Sequence, residues 1–476
     1  MNTSNFEYQL KGSAHAIYIM EKETEASNSR KPFRVIVVGG GLVGITAAHI
    51  LSKANIDFVI LEQHDNLTPW IGSLIVLWPA TYRMLKQLGI LDEMLPILNK
   101  LEDYETINAN DGSFLYHTRE VGKMWQRNHG YGVGCTARSE FLAVLHRTLP
   151  ESAKARIRLK KRVTDIQMVS DGVVVHCADG TSEEGSIVIG ADGVHSRTRQ
   201  CMQALATGNQ PTPQARQDAE SPYISTYRVL LGNLPQMTHL TPRYQYLALG
   251  PGVSTQLVAG EGRAWWYVYE ALSKPTRQRH RYTSEDKKAM MSKYAHLHVS
   301  PDYTLSDIYA SNIGDIGMIN LEEGSVDTWS RDGRIVLVGD AVRKLCPHAG
   351  LGYNRGAGDI VELVNRVHRV LQTSAEGLPS TEILQAEFDI YEKTRKRSEK
   401  TVDVVSRMSA RSAAWLSRWD RFMGTWVIRF FPMVGWIADY LLAPVVARDP
   451  VIEWIEETEL LQGAKRWVHH PLPKGR

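Results

Sequence analysis

The chain has 476 residues and a mass of 53.6 kDa, 43% of them hydrophobic and 22% charged, a balance that excludes bulk disorder. Its 55 Lys and Arg against 52 Asp and Glu leave a formal charge of +3, too even for a dedicated nucleic-acid binder. Cys135, Cys177, Cys201 and Cys346 form no CxxC pair, so neither a zinc ribbon nor a thioredoxin-type centre is expected, and they read as isolated packed thiols of an intracellular protein.

Residues 1–31 lack an apolar run of signal-peptide length and read as a polar leader, which argues against secretion. Phe33 to Glu62 carries the first strong pattern. FRVIVV is a β-branched run suited to a strand buried on both faces. It breaks into Gly39-Gly40-Gly41-Leu42-Val43-Gly44, a GxGxxG, followed by a helix-length stretch, Asn55 and a second strand ending in Glu62. In that unit Gly39 permits the tight turn, Gly41 lets backbone approach a pyrophosphate, and Gly44 allows close helix–strand packing. The helix N-terminus offers N–H groups to phosphates, and Glu62 stands where a carboxylate accepts from ribose hydroxyls. The unit alone does not separate NAD from FAD.

Two later segments do. A short strand at Ile187 runs into Gly190-Ala191-Asp192-Gly193-Val194-His195-Ser196-Arg197-Thr198-Arg199, and RIVLVG at Arg334 ends in Gly339-Asp340, followed by Pro347, Gly350, Gly352 and Asn354. Over roughly residues 33–370 the chain resembles the FAD-dependent aromatic hydroxylases of the p-hydroxybenzoate hydroxylase type, whose GADGxxSxxR and GD…PxxGxGxN patterns these segments match. The fold implied is α/β: a Rossmann-type FAD-binding domain (33–215 and 316–373), an antiparallel-sheet substrate domain (216–315) and a C-terminal helical region (374–476). The resemblance implies that Gly39, Gly41 and Gly44 hold the FAD pyrophosphate and that Glu62 holds the ribose. It places Arg138 at the phosphate–ribityl region, Asp192 near the pyrophosphate and the NAD(P)H approach, and Asp340 at the ribityl chain. The turn through Gly350, Gly352 and Tyr353 then faces the flavin's pyrimidine edge.

A narrower likeness starts at Trp70-Ile71-Gly72-Ser73 and continues through LIVLWPATYRMLKQLGILDEM, which looks like the fungal paspaline-type and meroterpenoid epoxidases. There Val76 falls on a cofactor-contact position where glycine is common. Arg343 replaces a usual histidine, and Tyr353 is bulky where glycine is usual, which would narrow the space beside the flavin. Tyr227-Arg228 matches a YR pair of those enzymes that orients substrate or assists proton transfer; ordinary strand packing is the plainer alternative.

Runs at YISTYRVLLG, RYQYLALG, VSTQLVAG and AWWYVYEA read as strands of the substrate sheet. His296 and His298 lack a third ligand, so no metal site is expected, and the basic loop 274–282 reads as a solvated face. From about residue 380 the pattern is helical and basic. It then turns apolar over 415–447, and six of the 12 tryptophans lie after residue 414. Arg429 and Asp439 interrupt that stretch, leaving apolar runs far short of the ~20 residues of a span. Attachment at a membrane surface on the cytosolic side, a single span, and helices packing on the FAD domain all stay open.

The activity implied is monooxygenation. FAD is the cofactor, NAD(P)H the transient reductant, and oxygen is delivered through C4a-hydroperoxyflavin to a small lipophilic substrate. The fungal likeness implies epoxidation of an olefin on a prenylated meroterpenoid or indole-diterpene intermediate, which a separate terpene cyclase then opens. The alternatives are a phenol hydroxylase of the same family and a flavin-free prenyl-protein carrier of related fold. No second GxGxxG unit appears, and the WxWxIP motif of flavin halogenases is missing.

Overall fold

The computed structural model describes residues 32–67, 73–208, 221–374, 377–428 and 433–473. The expected polar leader, Trp70–Gly72 of the fungal-like stretch and most of the crossover at 205–222 lie outside the described residues, as do Arg429 and Pro432.

The elements that position the site are, in chain order, β1 (Arg34–Val38), α1 (Leu42–Lys53), β2 (Asp57–Leu61), β3 (Asp103–Asn108), β4 (Ile187–Gly190), β5 (Ile224–Pro235), β6 (Tyr244–Gly250), β7 (Val253–Ala259), β8 (Arg263–Thr276), β9 (Ile313–Ser325), β10 (Ile335–Leu337), α2 (Gly352–Thr373) and α3 (Thr381–Ala413). The unit β1–α1–β2 forms as its sequence requires. Val35 to Val38 are buried, and α1 starts at the second glycine of the fingerprint. The turn into β2 passes through Asn55 at φ +53°, a left-handed conformation that asparagine tolerates.

Among the described residues, a six-stranded sheet runs in the order Ser330–Arg331, β10, β4, β1, β2, Ile157–Arg158, all parallel except its first strand. This is the Rossmann-type layer. An eight-stranded sheet runs Arg343–Lys344, β9, β5, β8, β7, β6, β3, Phe114–Thr118. It is antiparallel but for β6 against β3, which pair in parallel with Tyr244 opposite Asp103. The substrate sheet therefore reaches beyond 216–315: it borrows two strands from the 103–118 stretch, and β9 carries it to Ser325.

Strand alternation gives the two faces of that sheet different cores. Tyr227, Val229, Leu231, Tyr267 and Tyr269 join the large core of the FAD layer. Leu230, Trp266 and Val268 join a second core beneath the helix Ser284–Tyr294. The C-terminal region shares the large core through Val402, Val405, Ala438, Leu442, Val446 and Ile452, so it is welded to the cofactor layer. Between α2, α3 and the tail, Arg343, Arg355 and Arg395 meet Asp359, Glu399 and Asp449 in a buried ionic network. Over 418–428 and 433–447 the chain forms short helical pieces with π-type turns at Met423–Val427 and Ile437–Leu442. No helix among the described residues is long and apolar enough to cross a membrane. Asp439, read above as interrupting a span, pairs with Arg127 at 3.0 Å and accepts from Asn128 at 2.6 Å.

Candidate active site

One cavity of about 1630 Å³ joins the glycine-rich motifs to the eight-stranded sheet. Its cofactor side is a groove formed by Gly41, Leu42, Val43, Arg138, Ala191, Gly193, Asp340, Gly350, Leu351 and Gly352.

Close backbone approach explains the fingerprint glycines. Gly39 has φ +106°, and a Cβ there would stand 2.6 Å from the Ala191 carbonyl oxygen; a Cβ on Gly44 would stand 1.9 Å from the Gly39 carbonyl oxygen. These two glycines lock the loops together, and Gly41 is the one that faces the cavity. Glu62 is buried, accepting from Gly40 N at 2.6 Å and His64 N at 2.9 Å. A carboxylate has further lone pairs, so those bonds orient it and leave acceptor capacity for a ribose hydroxyl.

Arg138 opens the helix Arg138–Arg147, and its guanidinium Nη2 lies 3.9 Å from the position of a Cβ on Gly41. Burial pushes its pKa down, opposed by Asp340 and Glu62. Asp340 lines the groove and pairs with Lys344. At the far end Gly350, φ +62°, sits against Val76, whose Cβ would be 2.6 Å from an added methyl group. Beside Gly352, where helix α2 begins, an added Cβ would meet nothing within 4 Å. A partly buried guanidinium, an open helix N-terminus and bare backbone along one groove fit the phosphates and ring of a flavin dinucleotide.

Three of the candidate positions turn polar groups away from the cavity. Asp192 does not face the groove: its carboxylate accepts from Ser196 Oγ at 2.6 Å, and from Thr198 N and Oγ1 at 2.9 and 3.0 Å. It fixes the loop, and its neighbours Ala191, Gly193, Val194 and His195 line the cavity instead. Arg228 points to the other face of β5, where it pairs with Glu270, itself bonded to Lys293 and Tyr294. Its strand neighbour Tyr227 is buried on the cofactor side, 6.3 Å from the His348 ring, with its hydroxyl unpartnered and its pKa raised by burial; neither residue lines the cavity. Tyr353 does line it, but its hydroxyl turns away to Thr46 Oγ1 at 2.9 Å, tying α2 to α1.

Several organising residues were given no role in the sequence analysis. Asn354 donates to the Val76 carbonyl at 2.8 Å and accepts from Trp78 N and Thr81 Oγ1, stitching the strand Leu74–Leu77 to α2. Arg199 donates to the Ala341 and Val194 carbonyls, joining the two later motifs. His348 lies 4.1 Å from the Tyr269 ring with Nδ1 at 3.2 Å from Cys346 Sγ, and burial holds it near a pKa of about 4. The basic loop is not simply a solvated face: Gln278, Arg279 and His280 line one rim with His195, Glu322 and Lys344. Asn354 and Arg199 sit inside the quoted motifs and were visible there; the others become visible only when distant segments meet.

The family model described as "FAD binding domain" matches residues 33–400. The FAD-dependent monooxygenase srdH of Neurospora crassa is 36% identical over 408 residues, covering 83% of this chain and 90% of that protein. The chain belongs to this family and is an FAD-dependent monooxygenase. The monooxygenase is also similar to prhF of Penicillium brasilianum, another FAD-dependent monooxygenase, at 30% identity over 85% of this chain and 84% of that protein. Among solved structures it shares its fold with HpxO of Klebsiella pneumoniae, complexed with FAD and uric acid. That match has a TM-score of 0.68 and 19% identity, and covers 86% of this chain and 97% of the other. A salicylate hydroxylase substrate complex matches with a TM-score of 0.64 and 19% identity, over 88% and 98%. FAD is therefore the cofactor of the groove.

Proposed function

We propose that the monooxygenase uses NAD(P)H and O2 to epoxidise an olefin on a prenylated meroterpenoid or indole-diterpene intermediate. The observation that carries this reading is the apolar surface of the chamber beyond the groove. The cavity of about 1630 Å³ includes the cofactor groove, and its remainder is walled by side chains such as Ile75, Trp78, Met124, Trp125, Leu247 and Met408, more apolar wall than a single small ring needs. FAD, when bound, supplies the reduction by nicotinamide nucleotide and the activation of O2. The chain's own residues would bind and orient it: Arg138 and the α2 N-terminus would hold its anionic parts, and the Gly350–Gly352 turn would leave room beside its ring.

Water exclusion falls to the C-terminal segment, whose Met423, Val427, Ile437 and Leu441 line the cavity. Trp419, Trp426 and Trp436 are 66, 56 and 53% exposed, and together with Arg418 and Arg421 they support attachment of this segment to an anionic bilayer surface. A lipophilic substrate would then enter from the membrane. The test of the reaction is product analysis. A farnesylated phenol should stimulate NADPH oxidation and yield an epoxide, while the unprenylated ring should not; turnover of the free phenol to a ring-hydroxylated product would establish hydroxylation instead.

A further inference from the structure

The sheet face of the chamber carries a polar stripe, set apart from the charged rim at Glu322 and Lys344. Tyr104 on β3, Gln245 on β6, Gln256 on β7 and Tyr269 on β8 all line the cavity from four adjacent strands. Gln245 stands opposite Tyr104 in register. Gln256 stands opposite Leu247, two residues along the same face from Gln245, so the two amides are diagonal neighbours. Leu247 and Leu249 complete the β6 wall, and no charged side chain on these four strands lines the cavity.

The amides are held differently. The Tyr269 hydroxyl, kept protonated by burial, donates to Gln256 Oε1 at 2.9 Å. That bond turns the Gln256 –NH2 group the other way, with no hydrogen bond to an acceptor among the described residues. Gln245 makes no side-chain hydrogen bond among the described residues. A glutamine side chain on an apolar wall loses hydration without return unless a ligand restores its bonds. The stripe also has a direction. Tyr269 touches His348, which lies two residues before the Gly350 turn of the cofactor groove, so the stripe leads outward from the reacting end of the cavity.

From this we infer that Gln245 and Gln256 form the recognition site for the polar head of the substrate, and that this head is an oxygenated ring system without charge. Two neutral amides match carbonyl and hydroxyl oxygens; the cations Arg279, Lys344 and Arg411 that line the cavity stand outside these four strands, so a carboxylate would pair there rather than with the stripe. The inference rests on the prenylated-substrate reading and adds what the non-prenyl end must be.

The test measures binding to the FAD-loaded, oxidised protein by perturbation of the flavin spectrum, with three probes at pH 7: farnesylresorcinol, farnesylbenzene and salicylate. Farnesylresorcinol should bind the wild type most tightly and salicylate most weakly. Gln245→Leu and Gln256→Leu should each weaken farnesylresorcinol about 3- to 10-fold, the loss of one neutral hydrogen bond. Both should leave farnesylbenzene unchanged or tighter, which also shows that the chamber is intact. Equal weakening of both farnesyl probes, or none, would overturn the glutamine assignment while leaving the prenylated-substrate reading in place. Salicylate binding more tightly than farnesylresorcinol would overturn the uncharged head. Failure of both farnesyl probes to perturb the wild-type flavin would overturn the prenylated-substrate reading, and this inference with it.

Discussion

Replacing Asp359 by asparagine tests how the cofactor layer is held together. Asp359 is fully buried and accepts from Arg343 Nη2 at 2.7 Å, Arg395 Nε at 2.7 Å and Gly339 N at 3.0 Å. With Arg355, Glu399 and Asp449 it belongs to a set of three cations and three anions, each side chain at most 10% exposed, whose charges cancel. Asparagine keeps the shape and removes one negative charge, leaving an uncompensated positive charge in the interior. Breaking a buried pair in this way costs about 3–5 kcal/mol. At roughly 2.1 cal/mol/K per residue, a chain of this length unfolds with an entropy of about 1 kcal/mol/K, so the midpoint should fall by about 3–5 °C. Thermal unfolding of the FAD-loaded protein followed by circular dichroism reads this directly. Because Gly339 precedes Asp340, the variant should also lose flavin more readily on gel filtration. Adding Arg395→Met restores neutrality and should recover part of the midpoint. A midpoint within about 1 °C of the wild type would refute the reasoning, since the network would then carry no net interaction.

Further outcomes follow from the same structure. Arg138→Ala should raise the FAD dissociation constant roughly tenfold or more, read from the fluorescence of released flavin; an unchanged constant removes Arg138 from the cofactor site. Burial holds His49 and His129 near a pKa of about 4, so between pH about 6.5 and 4 the unfolded chain binds protons that the folded chain refuses, and stability must fall as pH falls through that window. His129 has no ring-nitrogen partner and stacks between Trp125 and Trp467, so His129→Phe should flatten the decline; a slope equal to the wild type's contradicts this. Trp419→Ser combined with Trp426→Ser should abolish flotation with phosphatidylserine vesicles, and alkaline carbonate should extract the wild-type protein from membranes. Flotation that survives the double change would exclude these tryptophans as the attachment.

Legibility followed sequence distance. The β1–α1–β2 unit could be read because every residue that shapes it lies within one short stretch, and the GADG and GD motifs are equally local. The strands of the substrate sheet were visible in their alternation. What escaped depends on pairs far apart in the chain. Nothing near Asp103 announces that it will lie beside Tyr244, and nothing near Asp449 announces Arg355. Asp192 lies beside Gly39, but a motif names a residue without saying which way its carboxylate turns, and Ser196 and Thr198, a few residues on, hold it. The Tyr227–Arg228 pair is a different case, in which the plainer alternative of strand packing agrees with the geometry. Adjacent residues on a strand point to opposite faces, so that both could address one substrate was excluded by elementary geometry. The tryptophan-rich tail left attachment, a span and packing on the FAD domain open because composition cannot distinguish a surface that meets a bilayer from one that walls a cavity; in the structure Met423, Val427, Ile437 and Leu441 of this segment wall the cavity.

That tail has a consequence for how the enzyme is made. Everything that lines the cofactor groove, from Gly41 through Arg138 and Ala191 to Gly352, has left the ribosome before the helical pieces beyond Arg418 are synthesised. The wall formed by Met423, Val427, Ile437 and Leu441 is therefore the last side of the chamber to be synthesised.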